Sequence, residues 1–215
     1  MRTRNGFIRE RDFPFAHGDR RSAFRHHAIR AAAFMVALSS AIALAGGKHP
    51  LEYLDEQTGA TISSVGEPLV FAPERSSQVP AGDYITLAAA AVDRSGDFTY
   101  VLIKYCWSAG VTGPSAGALC GAAPLVVQAD DRRIELPLSQ GSARDAGIGV
   151  PIHRPPFGAG TPYVYSVDLE TIRLISESHH LSLSIGGDSA PLTYELFEDR
   201  LSSLREFVRH MSAGN

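Results

Sequence analysis

The segment 83–108 constrains the fold of this chain more than any other stretch. Two arms rich in aromatic and β-branched residues, 84–92 and 98–107, flank the polar stretch 93–97, and such residues favour strands. The Asp, Ser and Gly between the arms are typical of a chain reversal. The sequence therefore predicts a long antiparallel β-hairpin whose second arm ends at Trp107, the only tryptophan.

Shorter patterns extend the β-rich character along the chain. Apolar and β-branched runs bounded by turn residues are the usual signature of strands, and strict alternation marks one buried face. They predict two short strands within 53–72, divided at 66–68, a second hairpin with arms 125–128 and 133–138, and single strands at 163–167, 181–185 and 192–197.

The C-terminal third also predicts two short helices. Asp168 and Asp199 are suitable helix caps, and the apolar residues after each recur at helical spacing. The stretches 109–124 and 139–162 are rich in Gly and Pro and are predicted as loops, the second with the most mobile backbone of the domain. The fold class expected is α+β and β-rich, an antiparallel sheet or sandwich built of hairpins with two short helices in the C-terminal third.

The N-terminus predicts export. Residues 1–30 carry eight arginines against three acidic residues, and 31–45 form an uncharged apolar run. That run ends in Ala43-Leu44-Ala45, a small-x-small pattern, so we expect a signal peptide over 1–45, cleavage before Gly46 and one globular domain over 46–215. Because Arg20-Arg21 partly matches a twin-arginine signal, export through the twin-arginine pathway stays an alternative to the general secretory pathway. The alternative is an uncleaved segment that anchors the domain in the inner membrane.

Charge narrows the class of partner. The part after residue 45 holds 12 basic and 20 acidic residues, a net charge of −8. Because such a body repels phosphate backbones, the sequence argues against nucleic acid as a partner. The expected partner is a component of the cell envelope or a small ligand. Contact with the membrane is expected only through an uncleaved N-terminal segment.

Two cysteines, Cys106 and Cys120, lie in the exported part. An oxidising compartment permits them to form a disulfide that would join the end of the long hairpin to the following loop. The alternative is two unpaired thiols. Neither lies near the cleavage point, so lipid attachment there is not supported.

Three segments together, 52–61, 68–72 and 83–107, resemble a set of short, exported proteobacterial proteins of uncharacterised function. The resemblance covers most of the mature domain and rests on residues that look structural. It implies export and fold, and it brings no catalytic residue with it. The small-residue loop between Cys106 and Cys120 is not associated with that group, so a disulfide shared by the group does not follow.

One segment matches a catalytic motif in spacing. Gly113-Pro114-Ser115-Ala116-Gly117 fits the G-x-S-x-G pattern, which needs a strand, a sharp turn and a helix to expose its serine. The strand here ends several residues earlier, and 118–124 is too short for that helix. A Gly- and Ser-rich loop is the favoured interpretation, with Ser115 as the catalytic candidate of the alternative.

Histidines, paired acids and aromatic residues give further candidates. His179-His180 with His153 or His210 could begin a metal site, but neighbouring strand residues point to opposite faces. Asp130-Asp131 and Asp55-Glu56 are explained by turn chemistry and solvation rather than catalysis. Gly186-Gly187 is read as a turn, not a phosphate loop. The strand aromatics could form a sugar platform, although core packing is favoured; they are Phe98, Tyr100, Tyr105 and Trp107.

The sequence thus favours a periplasmic or secreted envelope protein that binds another component without catalysis, with no metal or cofactor predicted. A small secreted serine hydrolase using Ser115 with a downstream acid and His210 or His179 is one alternative. A membrane-tethered domain that retains 31–45 is the other.

Overall fold

The computed structural model describes residues 49–74, 82–109, 121–139, 141–156, 162–186 and 191–213. In this part of the chain, strands form one antiparallel sheet, and two helices lie in the C-terminal third. The elements in chain order are β1 Leu51–Asp55, β2 Ala60–Ser64, β3 Leu69–Pro73, β4 Asp83–Arg94, β5 Asp97–Ser108, β6 Leu125–Ala129, β7 Arg132–Leu136, β8 Tyr163–Val167, α1 Leu169–Glu177, β9 Leu181–Ile185, β10 Leu192–Glu198 and α2 Leu201–Ala213.

The predicted central hairpin is confirmed. β4 and β5 pair along all 12 residues of each strand. The reversal is tighter than expected, because only Ser95 and Gly96 separate the strands, with φ of 60° and 96°. Two successive positive φ values fit the right-handed twist of the flanking strands. Asp93 closes the turn, since its carboxylate accepts the Gly96 N–H at 2.7 Å.

The sheet curls around this hairpin into a half-barrel. On one side β4 pairs with β2 near its end and with β3 near its start, and the sheet continues from β3 through β10, β9, β6 and β7. On the other side β5 pairs with β8. The two ends approach each other after β7, where the Ser139 N–H donates to the Val164 carbonyl at 2.9 Å.

The sheet has two covered faces, which we name the helix face and the loop face. Strand register puts Leu87, Leu102 and Tyr165 on the helix face, and α2 reaches that side through His210, 3.6 Å from Glu52. The loop face carries Ala90, Ile103 and Val164. Gly147 of the 141–156 segment lies against Val92 there. Buried side chains on both faces belong to one hydrophobic core.

The small residues of β4 suit this arrangement. Ala88, Ala89, Ala90 and Ala91 are each at most 1% exposed, although they alternate between the two faces. Methyl side chains keep the middle of the sheet thin, so the covering layers on both sides can approach the backbone closely.

Both helices begin where their capping residues predict. Asp168 is the N-cap of α1, and its carboxylate accepts the Thr171 N–H. The Asp199 carboxylate accepts the Leu201 N–H at the start of α2 at 3.0 Å. Neither helix of the described part is long or apolar enough to cross a membrane.

The structure differs from the sequence-based expectation in two places. The stretch 53–65, expected to be one strand, is the β1–β2 hairpin, and Gly59 in its turn has φ of 70°. The sequence left a single sheet and a sandwich as alternatives, and the strands of the described residues form one continuous sheet. A β-rich α+β fold with helices in the C-terminal part is therefore confirmed.

Candidate functional site

The segment 141–156 is attached to the loop face by a buried carboxylate. Asp55, at the end of β1, is 1% exposed. Its Oδ2 accepts the N–H groups of Gly149 at 2.7 Å and Val150 at 2.9 Å. Its Oδ1 accepts the Gln57 N–H at 2.9 Å. One side chain therefore joins the β1–β2 turn to a segment more than ninety residues away along the chain.

Asp55 is ionised in this setting. Burial alone would raise its pKa, but the backbone N–H groups of Val150, Gly149, Gln57 and Thr58 more than offset burial and hold the pKa below its ordinary value. Hydrogen bonds donated to a carboxylate favour its charged form. The negative charge is thus matched by backbone donors rather than by a cation.

Further contacts fasten the same segment. Thr58 Oγ1 donates to the Gly147 carbonyl at 2.7 Å, and the Tyr53 hydroxyl donates to the Val150 carbonyl at 3.4 Å. Gly147 has φ of 97°, and a Cβ added to it would lie 2.8 Å from Val92 Cγ1. Only glycine meets both conditions, since other residues avoid this φ and would collide with the sheet.

The segment also contains its own tight turn. Asp145 Oδ2 accepts the Ser142 N–H at 2.8 Å and the Ser142 hydroxyl at 2.7 Å, and these bonds hold the Asp145 pKa below its ordinary value. The Ile148 N–H donates to the Ala143 carbonyl at 2.8 Å. The segment predicted to have the most mobile backbone is therefore, in its described part, held by an internal turn and by the sheet.

A cavity of about 370 Å³ lies between this segment and the sheet. Its volume is within the range of small-molecule sites, which are mostly apolar with a few polar groups. The described lining residues are Tyr105, Leu138, Ser139, Gly141, Ser142, Ala143, Arg144, Ile148, Gly149, Pro151, Pro162, Tyr163 and Val164.

Tyr105 is the main polar group on the sheet side of the cavity. It is 3% exposed, and burial raises its pKa to about 12, with a lowering contribution from the His153 backbone N–H. The His153 ring meets the Tyr105 ring edge-on, with centroids 5.7 Å apart. Burial lowers the pKa of His153, so the imidazole is neutral. The phenol is therefore a neutral donor at physiological pH.

A second unusual group, Lys104, lies on the helix face. It is 0% exposed, its Nζ donates to the Gly121 carbonyl at 3.1 Å, and it lies 4.8 Å from the Tyr163 ring centroid. No carboxylate pairs with it among the described residues, and burial lowers its pKa to about 8. Its position in an apolar strand was the available sequence signal, and Lys104 was not among the sequence-based candidates.

The two pairs of neighbouring acidic residues, Asp55-Glu56 and Asp130-Asp131, each contain one residue with a structural role. Asp55 is the buried carboxylate that holds the 141–156 segment, an arrangement that we call the Asp55 clamp. Its neighbour Glu56 is exposed. Asp130, with φ of 51°, accepts the N–H groups of His179 at 3.0 Å and His180 at 2.8 Å. These backbone donors, with that of His180 the largest contribution, lower the Asp130 pKa. Asp130 thus fastens the β6–β7 turn to the chain before β9.

The four candidate histidines have different surroundings. His179 Nδ1 lies 3.7 Å from Asp130, whereas His210 faces Glu52 and His153 contacts Tyr105. The side chain of His180 is exposed. Within the residues that the structure describes, no group of three or more His, Cys, Asp or Glu residues could hold a metal ion.

The strand aromatics divide between the two faces, as alternation predicts. Phe98 and Tyr100 stack on one side, with centroids 6.4 Å apart. Trp107, on the other side, stacks at 4.5 Å on Tyr84, and its Nε1 donates to Thr86 Oγ1 at 2.9 Å. The four candidates therefore form no single platform, and the contribution of Tyr84 was not predicted.

Two candidates stay predictions. Ser115 and Cys120 lie outside the described residues, and so does the segment 1–45. Cys106 is 5% exposed and lies in β5 opposite Ile85. The Cys106–Cys120 disulfide therefore also stays a prediction.

Comparison of the chain with protein-family models, curated proteins and solved structures found no match. The resemblance to short exported proteobacterial proteins accordingly stays an expectation.

Proposed function

We propose that this chain is an exported protein of the bacterial envelope whose mature domain, 46–215, binds a small molecule without catalysis. The observation that carries the proposal is the cavity of about 370 Å³ between the 141–156 segment and the sheet. The clamp by Asp55 and the close approach of Gly147 support a preformed site. A preformed site lowers the ordering cost of binding.

The chemistry of the lining supports binding rather than turnover. The described lining contains two serine side chains, Ser139 and Ser142, and no histidine, cysteine or carboxylate. The Ser139 hydroxyl interacts with Ser166, and the Ser142 hydroxyl donates to Asp145. A serine nucleophile needs a base that takes its proton and is itself oriented by a third group, and the described lining supplies no such pair.

The test compares two alanines of the same turn. Ala143 lines the cavity and Ala146 does not, and both are half-buried. Protein recovered from the envelope fraction is extracted with organic solvent, and the extract is analysed by mass spectrometry. We expect one small molecule per folded protein in the unsubstituted chain and in Ala146→Leu, and its loss in Ala143→Leu. Equal occupancy in both variants, or none in the unsubstituted chain, would contradict the proposal.

Catalysis is tested separately. Purified protein is assayed against esters, amides and glycosides. The proposal predicts no saturable turnover. Turnover that Ser115→Ala abolishes would instead establish the hydrolase alternative.

A further inference from the structure

We infer that the molecule bound in this cavity is neutral and mainly apolar, and carries one hydrogen-bond acceptor that takes the proton of the Tyr105 hydroxyl. The inference rests on the proposed function and adds the chemical class of the ligand. Three features of the cavity carry it: an unused donor, the charges around it, and its size.

The donor is the hydroxyl of Tyr105. The side chain is 3% exposed, and its oxygen faces the backbone N–H of His153, a donor. Within the described residues no acceptor receives the phenolic proton. In the described part no fully buried side-chain oxygen or nitrogen lacks a hydrogen-bond partner, so the hydroxyl reaches the open space of the cavity, which Tyr105 lines. Water accepts its proton there when the cavity is empty of ligand, and a ligand oxygen that takes the place of this water keeps the hydrogen bond.

The charges around the cavity favour a neutral ligand. Arg144 is the one charged side chain in the described lining; it is exposed and has Asp145 as its neighbour. The domain around it carries a net charge of −8. An anion buried beside Tyr105 would lose its hydration without gaining a buried cation, which is strongly unfavourable. A cation would find no carboxylate in the described lining.

The size of the cavity suits a small molecule. A volume of about 370 Å³ corresponds to roughly a dozen water-sized groups at about 30 Å³ each. Two tyrosines, two prolines and three aliphatic residues give the lining a mainly apolar contact surface; they are Tyr105, Tyr163, Pro151, Pro162, Leu138, Ile148 and Val164. A compact ketone, ester or ether fits these requirements.

Three probes of similar shape test the inference: acetophenone, its hydrocarbon counterpart α-methylstyrene, and benzoate. Binding is measured by titration of isotope-labelled protein, recovered from the periplasm, with the amide shifts of Ala143, Ile148 and Val164 as the readout. We expect acetophenone to bind about three- to tenfold more tightly than α-methylstyrene, the effect of one net hydrogen bond, and benzoate to bind most weakly.

Two tyrosine variants provide the control. Tyr105→Phe should bind both neutral probes and lose the preference for acetophenone. Tyr84→Phe should keep the preference, because Tyr84 does not line the cavity and stacks on Trp107.

The outcomes separate the inference from the proposed function. Equal affinity for the ketone and the hydrocarbon, a preference that survives in Tyr105→Phe, or tightest binding of benzoate would overturn the inference alone. If none of the three probes shifts the cavity amides, both the inference and the proposed function fall.

Discussion

At the residue scale, Asp55 shows how one carboxylate positions a distant segment. It is buried, and three backbone N–H groups contact its oxygens at 2.7–2.9 Å. Two of these donors belong to the segment that covers the cavity. A carboxylate can satisfy several backbone donors at once, which a shorter or apolar side chain cannot. The sequence offered Asp55 as one of a pair of acids, and the structure assigns it a positioning role.

Replacement of Asp55 by Asn should destabilise the domain by about 1–3 kcal/mol at pH 7, the cost of buried donors left poorly paired. Because the folded pKa of Asp55 lies below its ordinary value, its contribution is present above about pH 4 and is lost as the pH falls through the folded pKa. The stability difference between the unsubstituted chain and Asp55→Asn should therefore shrink in acid. Urea unfolding of both proteins at pH 7 and below pH 4 measures this difference in stability.

The matched control is Glu56→Gln, which alters the exposed neighbour. It should leave the unfolding midpoint unchanged at both pH values. A similar loss of stability in Asp55→Asn and Glu56→Gln would contradict the role of Asp55 in holding the 141–156 segment.

Lys104 is a residue whose charge opposes folding. The unfolded chain holds the lysine proton to about pH 10.4, whereas the folded chain releases it at about pH 8. Between these values the unfolded state binds more protons, so stability rises with pH. Tyrosines with raised pKa act in the opposite direction above about pH 10, which makes pH 8 to 10 the informative window.

Lys104→Met should raise the free energy of unfolding at pH 7. Removal of the buried ammonium gains roughly 3 kcal/mol, and the unpaired Gly121 carbonyl costs about 1–3 kcal/mol, so we expect a small net gain. This gain over the unsubstituted chain should diminish from pH 8 to pH 10 as Lys104 loses its proton. Chemical unfolding across that range measures the difference. A constant difference would show that Lys104 keeps its ordinary pKa.

At the scale of elements, the sequence predicted what local pattern determines. The β4–β5 hairpin, the β6–β7 hairpin and the capped helix α1 each form from one segment or from two segments that are adjacent in the chain, and each was predicted correctly. The β1–β2 hairpin was missed because its turn, 56–59, contains a single glycine within a run that reads as continuous strand.

The candidate cavity could not be predicted in the same way. Its geometry depends on Asp55 reaching residues 94 and 95 positions away, and composition identified the covering segment only as a loop rich in Gly and Pro. Tyr105 was recognised as an aromatic strand residue, but its burial under that loop depends on a long-range contact. Ser115 and Cys120 lie outside the described residues, so both stay predictions.

The fit of the covering segment against the sheet depends on Gly147. In Gly147→Ala the new Cβ would meet Val92 Cγ1 and Arg94 Nη2, both at 2.8 Å, at a φ of 97°. Gly59→Ala is the control, because Gly59 has φ of 70° but no atom within 4 Å of the added Cβ. Both variants should lose about 1–2 kcal/mol from the left-handed backbone.

Gly147→Ala should lose further stability through the collision and should also weaken ligand binding at the cavity. Thermal unfolding and probe titration measure the two effects. Equal stability and equal binding in the two variants would show that the segment does not depend on close contact with the sheet.

At the scale of the whole molecule, a half-barrel covered on both faces accounts for the proposed function. The helices cover one face, and the 141–156 segment covers part of the other and leaves a cavity beside Tyr105. The net charge of −8 over residues 46–215 and the basic, apolar N-terminal region are properties of the chain as a whole. They support export and a partner other than nucleic acid.

The most direct test of this account is the intact mass of the protein purified from its native envelope fraction, measured under native and then denaturing conditions. We predict a denatured mass that begins at Gly46 and is two hydrogens light, from cleavage and the Cys106–Cys120 bridge. We also predict the additional mass of one small molecule in the native spectrum alone. A full-length mass would contradict cleavage and support the anchored alternative, and identical native and denatured masses would contradict the binding function.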